Sequence, residues 1–437
     1  MTRFVRFWLL VLLVCGLSAA HAQEEPIERR LRTSRGHRLP VAIEDLTLGG
    51  GSTTPEQLRI ISELGEVIRQ DLAFSGYFKI IRFDSLYLKL MGVTALDQQG
   101  WAHLGAEYLG TGRVTPTGDG FKLTLKLTGT MSNEEIFEKS FTGIWDRWRQ
   151  SAHQVAGELI YYLWGGRTRV FETRIVASWR SSEEKNLYMF DFDGHNARAL
   201  TNHGEINISP CWFPSGDRLV FTSYREDNPD LWLLLLGNNS VQKISGREGL
   251  NTAPAVSPDG HLLAVTLSVD GNAEIYLLTE SGQNPRRLTH SRGIDTEPAF
   301  SPDGRFIAFT SDRMGSPQVY VMHVDGSNAR RLTYRGNYNA SPSWSPGGDW
   351  IAFASRHERG QFDVCKVRTD GTGFARLTRK GSSKDPSWSP DGYHLVYSSL
   401  RNGQRNLYTI TYDGSGEHQI TTGGGFTNPA WGPFPRR

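Results

Sequence analysis

A motif repeated at a nearly constant spacing constrains the fold of this chain more than any other feature. Each copy contains a proline, a small residue, an apolar or aromatic residue, a turn related to Ser-Pro-Asp-Gly and then an apolar strand. A period of roughly 40–45 residues with several short strands per unit is typical of a β-propeller. We therefore predict an all-β six-bladed propeller in the C-terminal part of the chain. The repeat prolines, in steps of 44, 44, 44, 44 and 43 residues, are Pro210, Pro254, Pro298, Pro342, Pro386 and Pro429.

Each repeat predicts four strands: a short aromatic inner strand, two apolar strands and an outer strand that follows an Asp-Gly turn. An apolar residue followed by Thr or Ser keeps the same period, at Leu200, Ile244, Leu288, Leu332, Leu377 and Ile420. In the Ser-Pro-Asp-Gly turns, proline presets φ, aspartate bonds to the backbone and glycine accepts a positive φ. We interpret Asp259, Asp303 and Asp391 as turn formers.

The two ends of the repeat region predict how the ring closes. Residues 175–177 lie 44 positions before Leu219, so they form a second strand that no inner strand precedes. The matching inner strand, at residues 429–431, occurs only near the C-terminus. One blade is therefore completed from both ends of the propeller, which hides strand edges that would otherwise promote aggregation.

The first 22 residues have the pattern of a secretory signal peptide. Arg3 and Arg6 precede an apolar run at residues 7–17, and Ala20-His21-Ala22 supplies small residues before a cleavage site at Gln23. No later apolar run is long enough to form a transmembrane segment. We expect a mature protein in an exported compartment.

Charge and cysteine content limit the partners of the mature chain. Removing the signal takes away two arginines and no acidic residue, so 48 basic residues become 46, equal to the 46 acidic residues. This balance argues against nucleic acid as a partner. Cys211 and Cys365 lie in repeats on opposite sides of a six-fold ring, beyond the ~7 Å that a disulfide can bridge. We expect both to be buried and reduced.

The residues before the repeats predict a small α/β domain. Residues 39–46 read as a strand, and Thr54, Pro55 and Gln57 form the start of a helix that ends near Phe74. We expect one face of this helix to be apolar, with Leu58, Ile61, Leu64, Ile68 and Leu72. Further strands are predicted at residues 77–83, 108–114, 121–130 and 136–141, and a last helix at residues 145–164.

This order of segments resembles the TolB family, periplasmic proteins of the Tol–Pal system. The stretches that carry the resemblance are residues 41–43, 68–78, 152–156 and 171–175, together with the repeats. The resemblance implies a non-enzymatic adaptor of the periplasm that supports outer-membrane integrity and constriction at cell division. It implies the Pal lipoprotein as a partner at the propeller mouth, and the TolA complex of the inner membrane as a partner of the N-terminal segment. Residues 23–40 are longer and more basic than the short arm expected in the family.

The resemblance and the residues together give the expected organisation. We expect a signal peptide at 1–22, an arm at 23–40, the α/β domain at 41–166 and the propeller at 167–437, in a monomer. The loops that enter the innermost strands of a propeller converge on its channel opening, so their polar residues are candidates for partner binding. These candidates are Asn207, Asn251, Thr252, Asp295, Thr296, Glu297, Asn339, Asp385 and Asn428.

Two alternatives stay open for these residues. The short Asn and Asp side chains could instead cap the turn into the inner strand. The chain could also be a propeller enzyme or lectin that holds a ligand or metal in its channel. We find no Gly-x-Ser-x-Gly, no His-Glu-x-x-His and no Cys/His pair with ligand spacing, and we therefore expect no catalytic residue, cofactor or metal.

Overall fold

The computed structural model describes residues 38–82, 96–164, 169–181, 184–202, 204–357 and 360–436. The expected signal peptide and most of the expected arm lie outside these residues, as does Phe83 of the strand predicted at 77–83. The described residues form a small α/β domain followed by a six-bladed β-propeller, which confirms the predicted fold class.

The α/β domain has one mixed sheet in the strand order β3-β1-β4-β5-β6, with β2 beside β4. Strand β1 is parallel to both β3 and β4, while β4, β5 and β6 form an antiparallel meander. The strands are β1 (Leu39–Ile43), β2 (Thr47–Leu48), β3 (Phe78–Ile80), β4 (Tyr108–Thr117), β5 (Gly120–Gly129) and β6 (Glu135–Ile144). The helices are α1 (Pro55–Phe74), α2 (Gln98–His103) and α3 (Trp148–Trp164).

Helix α1 starts as the sequence predicts. The Thr54 hydroxyl accepts from the Gln57 backbone N–H (3.2 Å), and the Gln57 side chain accepts from the Thr54 N–H (2.9 Å). Ile61, Leu64, Ile68 and Leu72 are buried, as expected. Leu58 is 49% exposed, so its predicted place on the buried face is wrong. It lies in the first turn of α1.

Helix α3 is shorter than predicted because residues Trp145–Arg147 form a 3₁₀ turn before it. Helices α1 and α3 pack together, and both contact the sheet. Their buried residues belong to a core that continues into the propeller through Phe171, Phe192 and Trp431.

The propeller begins with the blade that closes the ring, which we call the clasp blade. Its first three strands are β7 (Arg174–Ser181), β8 (Glu184–Asp191) and β9 (Arg198–Ala199). Its inner strand is the last strand of the chain, β30 (Phe426–Trp431), which pairs antiparallel with β7. The predicted two-ended closure is confirmed.

The other five sheets use four consecutive strands each, from the inner to the outer edge. They are β10 (Asn207–Trp212), β11 (Arg218–Glu226), β12 (Asn228–Leu235) and β13 (Ser240–Ser245); β14 (Asn251–Val256), β15 (Leu262–Leu267), β16 (Glu274–Thr279) and β17 (Arg286–Arg287); β18 (Asp295–Phe300), β19 (Phe306–Ser311), β20 (Gln318–His323) and β21 (Arg330–Arg331); β22 (Tyr338–Trp344), β23 (Trp350–Arg356), β24 (Phe362–Arg368) and β25 (Ala375–Arg376); β26 (Ser382–Trp388), β27 (His394–Arg401), β28 (Gln404–Thr411) and β29 (His418–Gln419).

The threonine of the second sequence signature ties the outer edge of a blade to its third strand. The Thr333 hydroxyl accepts from the Val319 backbone N–H (3.0 Å) and donates to the Gln318 side chain (2.8 Å). The same backbone bond recurs with a threonine hydroxyl at Leu187, Ile275, Val364 and Leu407. Most outer strands are only two residues long, so they make few backbone bonds to the third strand. The hydroxyl bond adds one more, which explains why Thr follows the outer strand in these repeats.

The turn aspartates have the structural role predicted for them. In the turn after β18, the Ser301 hydroxyl donates to Asp303 (2.5 Å), which also accepts from the Arg305 backbone N–H (3.0 Å). The serine hydroxyl and this N–H lower the pKa of Asp303, and Gly304 has a φ of +71°. Cys211 and Cys365 are free; Cys365 is buried, whereas Cys211 is half-buried rather than buried as expected.

Candidate functional site

Each inner strand carries a bulge immediately before its repeat proline. The register with the second strand shifts at this point in all six blades. The residue before the proline has a φ between 48° and 55°, a left-handed conformation that costs a residue other than glycine about 1–3 kcal/mol. Because the inner strands of neighbouring blades contact one another around the ring, these residues form a circle about the channel. We call them the channel ring: Ser209, Ala253, Glu297, Ser341, Asp385 and Asn428.

Glu297 links its own blade to the next one around the ring. Its Oε2 accepts from the Ser341 backbone N–H (2.7 Å) and from the Thr310 hydroxyl (2.8 Å). The Ser341 hydroxyl donates to Oε1 (3.2 Å). Burial of the carboxyl raises the pKa of Glu297, against the lowering effect of these donors. The residue stays half-buried and is a polar, partly accessible group in the channel wall.

Asp385 makes a similar bond between its own blade and the clasp blade, which is the next blade around the ring. Its Oδ2 accepts from the Ser398 hydroxyl (3.2 Å) and from the backbone N–H of Asn428 (3.3 Å). Thr252 and Thr296 also bond across blades, to Thr222 and Thr266, each at 3.2 Å. Five of the predicted residues thus meet in or beside the channel ring: Thr252, Thr296, Glu297, Asp385 and Asn428.

The other four predicted residues are placed differently. Asn207, Asn251, Asp295 and Asn339 are the first or second residues of inner strands rather than loop residues, and all four are fully buried. The Asn251 side chain donates to the Arg247 carbonyl (2.6 Å) and accepts from the Arg247 N–H (3.1 Å). The Asn339 side chain donates to the Arg335 carbonyl (2.8 Å). These hydrogen bonds are the ones expected if the side chains cap the turn into the inner strand.

We call the end of the channel where the chain enters the inner strands the mouth. Large apolar residues that directly precede the inner strands are exposed there, Ile206 by 38%, Leu250 by 38% and Ile294 by 51%. Exposed apolar residues clustered on one face are typical of protein-binding surfaces. The loops that form the mouth are residues 204–206, 246–250, 290–294, 334–337, 379–381 and 422–425.

Sequence reasoning missed an aromatic and cationic cluster beside the mouth. Tyr338 packs edge-on to Phe362, with ring centroids 5.4 Å apart. Arg356 lies 5.1 Å from the Tyr338 ring, and Lys384 lies 4.0 Å from the Phe362 ring. Tyr338 occupies the repeat position of Ile206, Leu250 and Ile294, so alignment of the repeats could have revealed it.

The opposite end of the propeller is partly covered by the α/β domain. The ring of Phe74, at the end of α1, stacks on that of His394 with centroids 3.9 Å apart. His394 Nε2 donates to the Phe74 carbonyl oxygen (2.7 Å), and Tyr77 stacks on Tyr393 at 6.2 Å. Because these propeller residues lie at the turn between β26 and β27, the α/β domain and the mouth are at opposite ends.

Two further findings concern the described residues alone. No group of three or more His, Cys, Asp or Glu side chains among them is arranged to hold a metal ion. None of the helices in this part of the chain has the length and apolar character needed to cross a membrane.

Two family models match the chain. The TolB amino-terminal domain matches residues 33–136, and the TolB beta propeller domain matches residues 161–435. The Tol-Pal system protein TolB of Desulfosudis oleivorans is 35% identical over 235 residues, which are 53% of this chain and 52% of that protein. The protein of the same name from Pseudomonas putida is 31% identical over 231 residues. The chain spans about half the length of the curated relatives it matches.

Solved structures extend the similarity. The crystal structure of TolB from Acinetobacter baumannii is 27% identical and covers 91% of this chain and 97% of its own, with a TM-score of 0.76. A putative TolB from Agrobacterium tumefaciens is 26% identical and covers 59% of this chain and 91% of its own, with a TM-score of 0.50. With an amino-terminal domain and a propeller that both match, the chain belongs to the TolB family.

Proposed function

We propose that this protein is a non-enzymatic adaptor of the Tol–Pal system that acts in the periplasm. In this proposal it binds the Pal lipoprotein through the propeller mouth and couples to the TolA complex of the inner membrane. It thereby supports outer-membrane integrity and constriction at division. The resemblance of the sequence to TolB proteins suggests these partners, and family membership supports a role in the same system.

The observation that carries the proposal is the channel ring beside a mouth with exposed apolar residues. A left-handed backbone recurs at six equivalent places although only Asp385 and Asn428 are residue types that adopt it readily. Such repeated strain is common at binding sites, where the surrounding structure holds a shape that a partner recognises. Glu297 and Thr296 supply polar groups, and Ile294 supplies an apolar contact, on the same strand.

The carboxylates of the channel favour recognition over catalysis. A catalytic acid or base needs access to a substrate proton. Glu297 and Asp385 instead accept hydrogen bonds from backbone N–H groups of the next blade. Their first role is therefore to join blades and hold the ring in shape for a partner.

Charge reversal in the ring tests the proposal. Glu297→Arg places a cation at the mouth and removes the acceptor of the Ser341 N–H, so we expect affinity for purified Pal to fall at least tenfold, about 1.4 kcal/mol. Asp325→Arg is the matched control, because it reverses an exposed carboxylate of the same blade at the other end. Isothermal titration calorimetry measures both, and thermal melting checks folding. Unchanged Pal affinity of Glu297→Arg would refute the Pal site.

The TolA coupling is tested on the N-terminal segment. Within the expected arm only residues 38–40 are described, and Arg38 donates to the Ser415 hydroxyl (3.2 Å) on the propeller. We expect the chain without residues 23–37 to retain Pal in a pull-down from periplasmic extract and to lose the TolA complex. Equal recovery of TolA with both chains would contradict the coupling.

A further inference from the structure

A cleft between helix α3 and the clasp blade is lined by more arginines than carboxylates. Its volume is about 810 Å³, which is the size of a site for a ligand of many atoms rather than a single ion. The start of α3, the segment before β7, the region of β8 and β9 and the C-terminal residues all contribute to it. The arginines that line the cleft are Arg147, Arg149, Arg169, Arg174, Arg198 and Arg436.

Within the part of the chain that the structure describes, two of these six guanidinium groups have a carboxylate partner. Arg149 pairs with Asp193, and Arg169 pairs with Glu172 (2.8 Å). The remaining four are exposed, and none of them makes an ion pair with another residue that the structure describes: Arg147, Arg174, Arg198 and Arg436.

The carboxylates of the lining compensate only part of this charge. Glu158 pairs with Lys139 (2.8 Å), and Glu172 is the partner of Arg169. Asp191 accepts from the neutral Asn196 side chain (2.6 Å) and keeps its charge, as does Asp146. The four arginines without an ion pair in the described structure outnumber these two carboxylates, so the cleft keeps a positive charge.

His153 adds a polar nitrogen at the bottom of the same cleft. Its side chain is 94% buried, and its Nδ1 lies 2.7 Å from Asp71. Burial alone would lower the pKa of His153, but the neighbouring Asp71 carboxylate outweighs it and raises this pKa. The Nε2 atom has no hydrogen-bond partner in the described structure and lies 3.8 Å from Asp193. A buried polar nitrogen without a partner is uncommon, and a ligand could supply one.

We propose that this cleft binds an extended acidic segment of a partner protein. Guanidinium groups bind carboxylates through paired hydrogen bonds, and four free arginines from different segments match a row of Asp or Glu side chains. Trp148 and Pro435, both half-buried, line the same cleft and provide apolar contacts for the rest of the peptide. The cleft lies at the end of the propeller opposite the mouth, so the inference goes beyond the proposed function and does not depend on it.

A fluorescein-labelled hexaglutamate peptide is a direct probe. We expect its anisotropy to rise with increasing concentration of the chain from residue 23, and the affinity to fall with added salt because exposed charges are screened. Arg174→Glu combined with Arg198→Glu should weaken binding at least tenfold. Arg305→Glu combined with Arg330→Glu, which changes the net charge equally at exposed positions outside both the cleft and the mouth, should leave affinity within twofold.

Thermal melting confirms that all variants fold, since exposed substitutions of this kind should shift the midpoint by no more than about 3 °C. Absence of hexaglutamate binding to the unaltered chain would overturn the proposal, as would equal losses in the two double variants. Binding to phosphatidylglycerol vesicles without binding to hexaglutamate would also overturn it, because the cleft would then recognise a lipid surface.

Discussion

Glu297 combines a strained backbone with a polar side chain that we propose a partner recognises. It holds a left-handed backbone, and its carboxylate accepts the N–H of the next ring residue. Burial raises the pKa of its carboxyl, so the folded protein holds this proton to higher pH than the unfolded chain does. The charged form therefore costs stability, and this cost grows as pH rises from the unfolded pKa near 4.5 through the raised folded pKa.

Glu297→Gln tests this balance. The amide keeps an oxygen that can accept the Ser341 N–H but never becomes charged. We expect the variant to match the unaltered protein in free energy of unfolding at pH 4 and to exceed it at pH 8. Urea titrations at the two pH values measure the difference. Parallel pH profiles of the two proteins would show that the carboxylate carries no such cost.

The threonine bond at the outer edge is a second feature of single residues. Thr333→Val removes the acceptor of the buried Val319 N–H, and we expect the free energy of unfolding to fall by about 1–3 kcal/mol. Thr333→Ser keeps the hydroxyl and serves as the control, with a loss below half of that. Equal losses in both variants, measured by urea unfolding, would show that the hydroxyl bond contributes no more to stability than the packing of the methyl group, which only Thr333→Ser removes.

Strand β30 decides, at the scale of elements, whether the ring closes. It covers the inner edge of β7, and Trp431 at its end is buried and donates to the Thr173 hydroxyl (2.8 Å). A chain that ends before Phe426 leaves the inner edge of β7 unpaired and the core open, so we expect aggregation and loss of cooperative unfolding. A chain that ends at Gly432 retains β30 and should stay monomeric. Size-exclusion chromatography and thermal melting distinguish the two, and a monomeric, cooperative short chain would contradict the role of the clasp blade.

Trp431→Ala measures the same closure without shortening the chain. Removing a large buried aromatic side chain should cost about 3–5 kcal/mol in free energy of unfolding. A loss below about 1 kcal/mol would indicate that β30 contributes little to stability. Urea unfolding followed by circular dichroism provides the value.

Most elements were predictable because their signals are local. The 44-residue period predicted the blades, and the capping box of Thr54 and Gln57 predicted the start of α1. The site was predicted less completely. Sequence spacing placed Asn251 and Asn339 at the mouth, but it could not show that their amides would be used to hold the chain as it enters the inner strand. The left-handed ring was also not predicted, because Ser209 and Ala253 have no preference for that conformation.

The arrangement of the whole molecule depends on contacts between distant residues, which no local pattern reveals. Phe74 and His394 are 320 positions apart, yet their stacking and hydrogen bond hold the α/β domain on the end of the propeller opposite the mouth. Burial lowers the pKa of His394, against the attraction of nearby Asp391. The buried Nδ1 atom has no partner in the described structure, so a proton there would leave an unpaired charge.

The pH dependence of stability reports this contact. Because the folded pKa of His394 is depressed, its contribution is present above pH 6.5 and is lost as pH falls below that value. His394→Phe retains the stacking and loses the bond to the Phe74 carbonyl, which should cost about 0.5–1.5 kcal/mol at pH 7.5. Between pH 7.5 and 5 we expect the variant to lose less stability than the unaltered protein. An equal loss would show that the pKa of His394 is the same in the folded and the unfolded chain, so that burial does not depress it.

Hydrogen–deuterium exchange of the mature chain with and without purified Pal tests most directly whether the mouth is the docking face. We predict slower exchange at residues 204–206, 248–250, 292–294 and 335–338, which form or adjoin the mouth loops. Exchange in the turns at the other end, such as residues 257–261 and 301–305, should be unchanged. Protection confined to those turns or to the α/β domain, with no change at the mouth, would contradict the account.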